Sequence, residues 1–447
     1  MLEKERASDL EEYIYFLFLC YIVVLKGIGV VFMVKTIDDI NEKIRNGEAV
    51  VYTAQELKDM YREGERLTPQ NVDVVTTGTC AIMSGTSAVF TIPVAEKGSF
   101  KKARSLWLNG VPAYPGPCPN ESLGVVDVIF YGTSYASKNY GGGHLLRDLV
   151  NGDEIEVRVE SFEDKVYENT ITLDDFHFSR LITTRSCFRN YVSFLNTRNE
   201  SFDTIFSVTG LRGPNKEISI SGCGEINPLE NDPALNIVGS GTKILLNGGV
   251  GYVMGQGTRS SSEKPNLMAW GEMKGMDPQY MGGFRTSVTP EVISSLAIPL
   301  PFTEETMKHL LVTDEQAKLP VADIHDRIPF ATSDYGCVWQ GTDHEITYDV
   351  DKCKECDECQ AEKYCPTDAI TPKRGIDKRK CFNCGACVFT CPNSAYSGNL
   401  GVMRFDGHNV PIGLRQSNRS KANKLCNKLK NMIIDKEFYL TKKVGNI

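Results

Sequence analysis

Eight cysteines fall between positions 353 and 391, in two runs of one design: CKECDECQAEKYCP (353–366) and CFNCGACVFTCP (381–392). Each run spaces three cysteines as CxxCxxC and closes on Cys-Pro. Zinc takes four thiolate or imidazole ligands around one ion, and paired CxxC motifs serve it; a third cysteine per run and the trailing Cys-Pro suit iron–sulfur cubes better. The chemistry expected of residues 350–398 is therefore one-electron transfer by two clusters.

The two runs resemble those of bacterial-type ferredoxins, in which the fourth cysteine of each run ligates the other cluster. The resemblance assigns Cys353, Cys356, Cys359 and Cys391 to one [4Fe-4S] cluster and Cys381, Cys384, Cys387 and Cys365 to a second. It also implies a small α+β ferredoxin-like module, with CPTDAI and CPNSAY as its short strands. Five residues separate Cys359 from Cys365, where the usual spacing is three, so a longer loop is expected near the second cluster.

Seven cysteines lie outside the runs: Cys20, Cys80, Cys118, Cys187, Cys223, Cys337 and Cys426. An odd number beside thiolate-bound iron indicates a reducing, cytoplasmic setting rather than a disulfide framework. Sulfur carriage needs a thiolate, best placed at a glycine loop or helix N-terminus that lowers its pKa. Cys80 in TTGTC and Cys223 in SGCGE have such contexts and are the candidate catalytic cysteines. Cys118, Cys187 and Cys337 read as packing residues.

The elements that must position these groups form a mixed α/β large domain, rich in glycine loops, into which the module is inserted. Ile37, Ile40 and Ile44 repeat at helical spacing, and Thr53 with Glu56 forms a capping box for a helix presenting Leu57, Met60 and Tyr61. AVVYT between them reads as a strand. VDVVT (72–76) is a second strand, running into TGTCAIMSGTSA, a loop whose amides and hydroxyls, Thr77, Gly78, Thr79 and Ser84 among them, are suited to a small polar ligand. In YGGGH, Gly141, Gly142 and Gly143 lead through His144 into the helical HLLRDLV, a place for a carboxylate or phosphate, or simply a tight packing turn. KILLNGGVGYVMGQG reads as a hairpin turning at Asn247-Gly248, and IEVRV as a half-buried strand. After the module come a hairpin at Asp406-Gly407 and an amphipathic helix carrying Ala422, Leu425, Cys426, Leu429, Met432 and Ile433. The expected divisions are residues 33–349 for the large domain, 350–398 for the module and 399–447 for the return to the large domain.

With 447 residues, 41% hydrophobic, and a net charge of −8, the chain is of soluble globular composition and lacks the basic surface that nucleic acid demands. Residues 13–25 are apolar, but Lys26 interrupts the run and an acidic leader precedes it. That is neither a signal peptide nor a span of about twenty residues, so membrane association is not expected. The start is placed at Met33, with residues 1–32 an upstream extension or weak anchor.

VKTIDDINEKI, VDVVTTGT, LNGVPAY, YGGGH, GEINPLENDP, GTKILLNGGVGYV and MKGMDPQYMGG together resemble the homocysteine-biosynthesis sulfurtransferase family. The match covers about residues 33–345 and 401–447. With the module and the ending VPIGLRQSNRSKA, the chain is most similar to the methanogenesis marker 16 metalloproteins. The resemblance implies sulfur incorporation into a small carbonyl such as aspartate semialdehyde, with a sulfur donor and an external low-potential electron donor. Ser84 stands where the family carries a cysteine, so thiolation of another carbonyl fits as well. The alternative is a redox-sensing or electron-transfer binding protein that performs no sulfur transfer.

Overall fold

The computed structural model describes residues 35–116, 118–187, 191–371 and 375–447. The expected extension 1–32 and the start at Met33 lie outside the described residues. Thr36 and Thr53 each close a capping box, with Asp39 and Glu56 reaching back to the cap amide. They open helices α1 (Ile37–Asn46) and α2 (Ala54–Arg62), which bury Ile40, Ile44 and Leu57. Tyr61, expected beside Leu57 and Met60, is instead 42% exposed. Its ring lines an open surface cavity with Leu311 and Val312, because the last turn of α2 runs past the core.

Strand β1 (Val51–Thr53) pairs in parallel with β2 (Val74–Ile82). Here the sequence reading needs correction, because TTGTC is strand and not loop: β2 continues to Ile82, turns at 83–85 and returns as Thr86–Pro93. Gly78 does not mark a break. A Cβ there would stand 2.6 Å from Cys426 Sγ, so the glycine admits the C-terminal helix against the strand. β2 lies antiparallel to a long strand that is buried throughout (Glu291–Pro301), in register from Ile82–Ile293 to Val74–Pro301. A short strand, Gly282–Phe284, pairs on the opening of that strand, placing Phe284 opposite Glu291. We call these two β3 (Gly282–Phe284) and β4 (Glu291–Pro301).

These strands belong to a fourteen-stranded sheet; a second sheet of six includes Ile218–Ile220 and His408–Arg415. The expected hairpin turns at Asn247-Gly248 with both residues left-handed, φ 49° and 86°. The same chemistry recurs at Asp406-Gly407, with φ 47° and 77°. Ile155–Ser161 alternates buried and outward positions along its length. Helix α3 (Gly142–Asn151) follows YGGGH, and helix α4 (Arg419–Ile434) covers β1, β2 and β4 with Ala422, Leu425, Cys426, Leu429 and Ile433. Among the described residues no helix is long and apolar enough to cross a membrane.

Candidate functional site

The two cysteine runs fold as near copies. Glu355 and Asn383, each the third residue of its first CxxC, are left-handed at φ 47° and 53°. Asp368 and Ser394, each three residues beyond the Cys of Cys-Pro, are left-handed at 51° and 51°. These kinks turn the chain so that each run wraps round a hollow. One recess, the outer, is lined by Cys353, Cys356, Cys359 and Cys391. The other, the inner, is lined by Cys365, Cys381, Cys384 and Cys387. The fourth cysteine of each run thus stands in the other run's recess. Short strands, Thr347–Tyr348 against Tyr396–Ser397, bring the chain entering this region beside the chain leaving it.

Donors surround the sulfurs. Asn393 Nδ2 donates to Cys356 Sγ at 3.3 Å, the Ala369 amide to Cys365 Sγ at 3.3 Å, and the Asn383 amide to Cys381 Sγ at 3.4 Å. The remaining inner wall is apolar or neutral, with Ile346, Ala369, Ile370, Ile376 and Phe382. Among the described residues no three His, Cys, Asp or Glu side chains converge to hold a single metal ion. Four thiols spread round a hollow suit a wider guest, in which each thiolate binds a different iron.

The inner recess is fastened to the large domain. Phe284 meets Phe382 edge-on with ring centroids 5.4 Å apart. The Arg285 amide donates to Pro366 O at 2.8 Å, and its guanidinium reaches Cys365 O and pairs with Asp368 at 2.9 Å. On the other side, residues 415–418 act as a seam: the Arg415 amide donates to Cys384 O at 2.9 Å and the Asn418 amide to Cys80 O at 2.8 Å. Arg415 is itself buried over Trp339, its guanidinium held by the carbonyls of Val338, Asp343 and Leu400.

The predicted catalytic cysteines lie near this seam: Cys223 stands between the left-handed Gly222 and Gly224 at the start of a short 3-10 turn, as expected, but Cys80 does not have the setting expected. Cys80 sits inside β2, fully buried, and burial pushes its thiol up to about 12, against a smaller opposing pull from Lys421. Cys223, also fully buried, is pushed up by desolvation, and its Sγ lies 3.8 Å from Cys80 O and from Thr79 Oγ1. In both, burial outweighs whatever the setting contributes. Cys187 donates to Asn227 at 3.1 Å, Cys118 is exposed, and Cys426 packs under Gly78. Thr77 Oγ1 donates to Ile298 O at 2.9 Å, a contact internal to the sheet.

YGGGH proves to be a close-packing device. A Cβ on Gly142 would meet Gly132 O at 2.6 Å, and one on Gly143 would meet Gly282 O at 2.6 Å. A Cβ on Gly141 would meet Pro290 at 2.9 Å. His144 caps the helix, its Nδ1 accepting from the Gly141 amide at 3.2 Å, so the proton belongs on Nε2, which has no partner. Burial first, then Arg147, pulls its pKa down to about 4, leaving the ring neutral. Of the predicted substrate residues, Ser84 has the buried Glu291 as a neighbour, whose carboxyl pKa burial pushes up, against a smaller opposing pull from Ser84. Glu291, Arg285, Arg415 and Lys421 were missed from sequence. The signal for Glu291 was an acid heading the otherwise uncharged EVISSLAIPLP.

A family model described as "homocysteine biosynthesis enzyme, sulfur-incorporation" matches residues 49–440. An uncharacterized protein of Methanothermobacter thermautotrophicus is 46% identical over 90% of this chain and 94% of its own. An L-aspartate semialdehyde sulfurtransferase of Methanocaldococcus jannaschii is 34% identical over 71% of this chain and 64% of its own. A ferredoxin-like protein of Escherichia coli is 38% identical over 11% of this chain and 26% of its own. No solved structure matches. The chain belongs to the homocysteine-biosynthesis, sulfur-incorporating family.

Proposed function

We propose that this chain is an iron–sulfur enzyme that converts a small carbonyl compound to a thiol, aspartate semialdehyde to homocysteine being the first candidate. The observation that carries the reading is the pair of interleaved four-cysteine recesses, one fastened to the large domain at Phe284 and Arg285 and, through residues 415–418, at Cys80. The residues fit the group: four thiols per recess, N–H donors on the sulfurs and, around the inner recess, a dry apolar wall. Cys353, Cys356, Cys359 and Cys391 would hold one [4Fe-4S] cluster, and Cys365, Cys381, Cys384 and Cys387 the other. Such clusters supply electrons one at a time at low potential.

The stoichiometry requires that supply. Hydrosulfide and an aldehyde give an adduct at the aldehyde oxidation level, and reaching R–CH2–SH with loss of water takes two electrons and protons in addition. The partners proposed are therefore a carbonyl substrate, a sulfur donor and an external low-potential electron carrier, in a reducing cytoplasm. The L-aspartate semialdehyde sulfurtransferase relatives support the substrate class; a related thiol-forming step of methanogen metabolism is the neighbouring possibility. Protein purified without oxygen is expected to carry about eight iron and eight sulfide. Given aspartate semialdehyde, sulfide and a low-potential reductant, it should release homocysteine detectable by mass spectrometry. Colourless, zinc-loaded protein, or no thiol from any small aldehyde tried, would sink the reading.

A further inference from the structure

Glu291 opens β4, whose other ten residues carry no charge and which is buried from end to end. It is 5% exposed, its Oε2 has no hydrogen-bond partner, and no described cation pairs with it. The Met83 amide donates to Val292 O at 2.7 Å, laying the 83–85 turn beside the start of β4, and in that turn Ser84 and Gly85 are half-buried. Burial without a described counter-charge disfavours the ionised form of Glu291 and raises its pKa above the ordinary carboxyl value, against a smaller opposing pull from Ser84.

Register fixes where the carboxyl lies. Residues directly opposite in an antiparallel pair share a face, so Glu291 projects on the side of Phe284. Phe284 in turn meets Phe382, between Cys381 and Cys384 in the inner wall. Glu291 is thus on the side of the sheet that faces the inner recess, beside the half-exposed 83–85 turn.

We infer that Ser84 and Glu291 mark the place where the carbonyl substrate reacts, Glu291 donating the proton with which the carbonyl oxygen leaves as water. The inference rests on reading the chain as a carbonyl-thiolating enzyme. Hydrogen sulfide, or hydrosulfide with a proton from solvent, adds to the aldehyde to give R–CH(OH)–SH. The C–O bond then breaks as the Glu291 proton moves to the departing hydroxyl, forming water. The S–H proton passes to the Glu291 carboxylate as the C=S bond forms. No electrons move in this step, and Glu291 ends as it began. The reduction of C=S to CH2–SH that follows draws two electrons from the low-potential carrier and two protons.

Infrared difference spectroscopy on the full chain, isolated anaerobically with its iron, reads Glu291 before any turnover. A protonated-carboxyl band is expected at neutral pH, missing from Glu291→Gln. Aspartate semialdehyde or another small aldehyde, added with sulfide and no reductant, should shift it. In turnover, Glu291→Gln should keep its iron and lose about 100-fold or more in kcat, while Glu291→Asp recovers part of the loss. No protonated band, a band indifferent to aldehyde and sulfide, or full activity in Glu291→Gln overturns the inference. Wild-type protein whose band shifts but which forms no thiol would instead strike the reductive reading and leave the Ser84–Glu291 site standing.

Discussion

Around the outer recess Cys356 is exposed and Cys353, Cys359 and Cys391 are half-buried, whereas in the inner recess Cys365, Cys384 and Cys387 are buried. The same spacing and the same left-handed kinks produced both. What differs is what each packs against. The outer cysteines adjoin Tyr348 and Tyr396, whereas Phe382 and Cys384 join the apolar core that also holds Cys80, Cys223 and Phe284. The hydrogen bond from Tyr348 holds the Cys353 thiol below its ordinary range, while desolvation drives Cys384 and Cys387 well above theirs. Local sequence thus builds a four-thiol recess, and tertiary contact decides whether it faces solvent or the interior.

The largest test of that contrast is to remove one cysteine from each recess. Cys356→Ser and Cys384→Ser should each halve the iron content, but only Cys384→Ser should also lower the melting temperature measurably, by less per kcal/mol than the roughly 2–4 °C of a 150–250-residue domain. Equal losses of stability would show that the inner recess is no more part of the large domain than the outer. A smaller but site-resolved effect is expected in metal-free protein treated with iodoacetamide and mapped by mass spectrometry. Cys353 and Cys356 should alkylate at neutral pH, and at a lower pH than an ordinary thiol for Cys353, because its folded pKa is depressed. Cys384 and Cys387 should react only on unfolding; early labelling there would break the distinction. The smallest effect is that of Asn393→Ala, which removes the 3.3 Å donor to Cys356 Sγ. It should make the outer potential alone more negative, and a shift of both potentials would deny the two recesses their independence.

The repeat, the capping boxes at Thr36 and Thr53 and the turns at Asn247-Gly248 and Asp406-Gly407 were readable because each is written within a few residues. TTGTC suggests a ligand loop, yet it is strand and Gly78 makes room for Cys426; of the two readings YGGGH allows, the tight packing turn holds, with Gly142 and Gly143 admitting the backbones of Gly132 and Gly282. Those neighbours lie up to hundreds of positions away, so no local pattern distinguishes a glycine that receives a ligand from one that receives a helix. Cys80 misled for the same reason: its apparent loop is a strand interior, and burial gives its thiol the opposite tendency to the one expected. Glu291 was overlooked because one acid in a buried strand becomes remarkable only once the absence of a cation beside it is known.

The joint between Gly78 and α4 also sets a timetable for synthesis. Thr76 and the carbonyl of Cys426 that its hydroxyl reaches are 350 positions apart, so this face of β2 leaves the ribosome long before its cover exists. At ~5–20 residues per second the wait is roughly 20–70 s, during which an apolar strand pair stands open in a crowded cell. Ribosome-bound chains halted before position 419 should therefore be a preferred target for chaperones that hold exposed strands, and release of the last thirty residues should end that dependence.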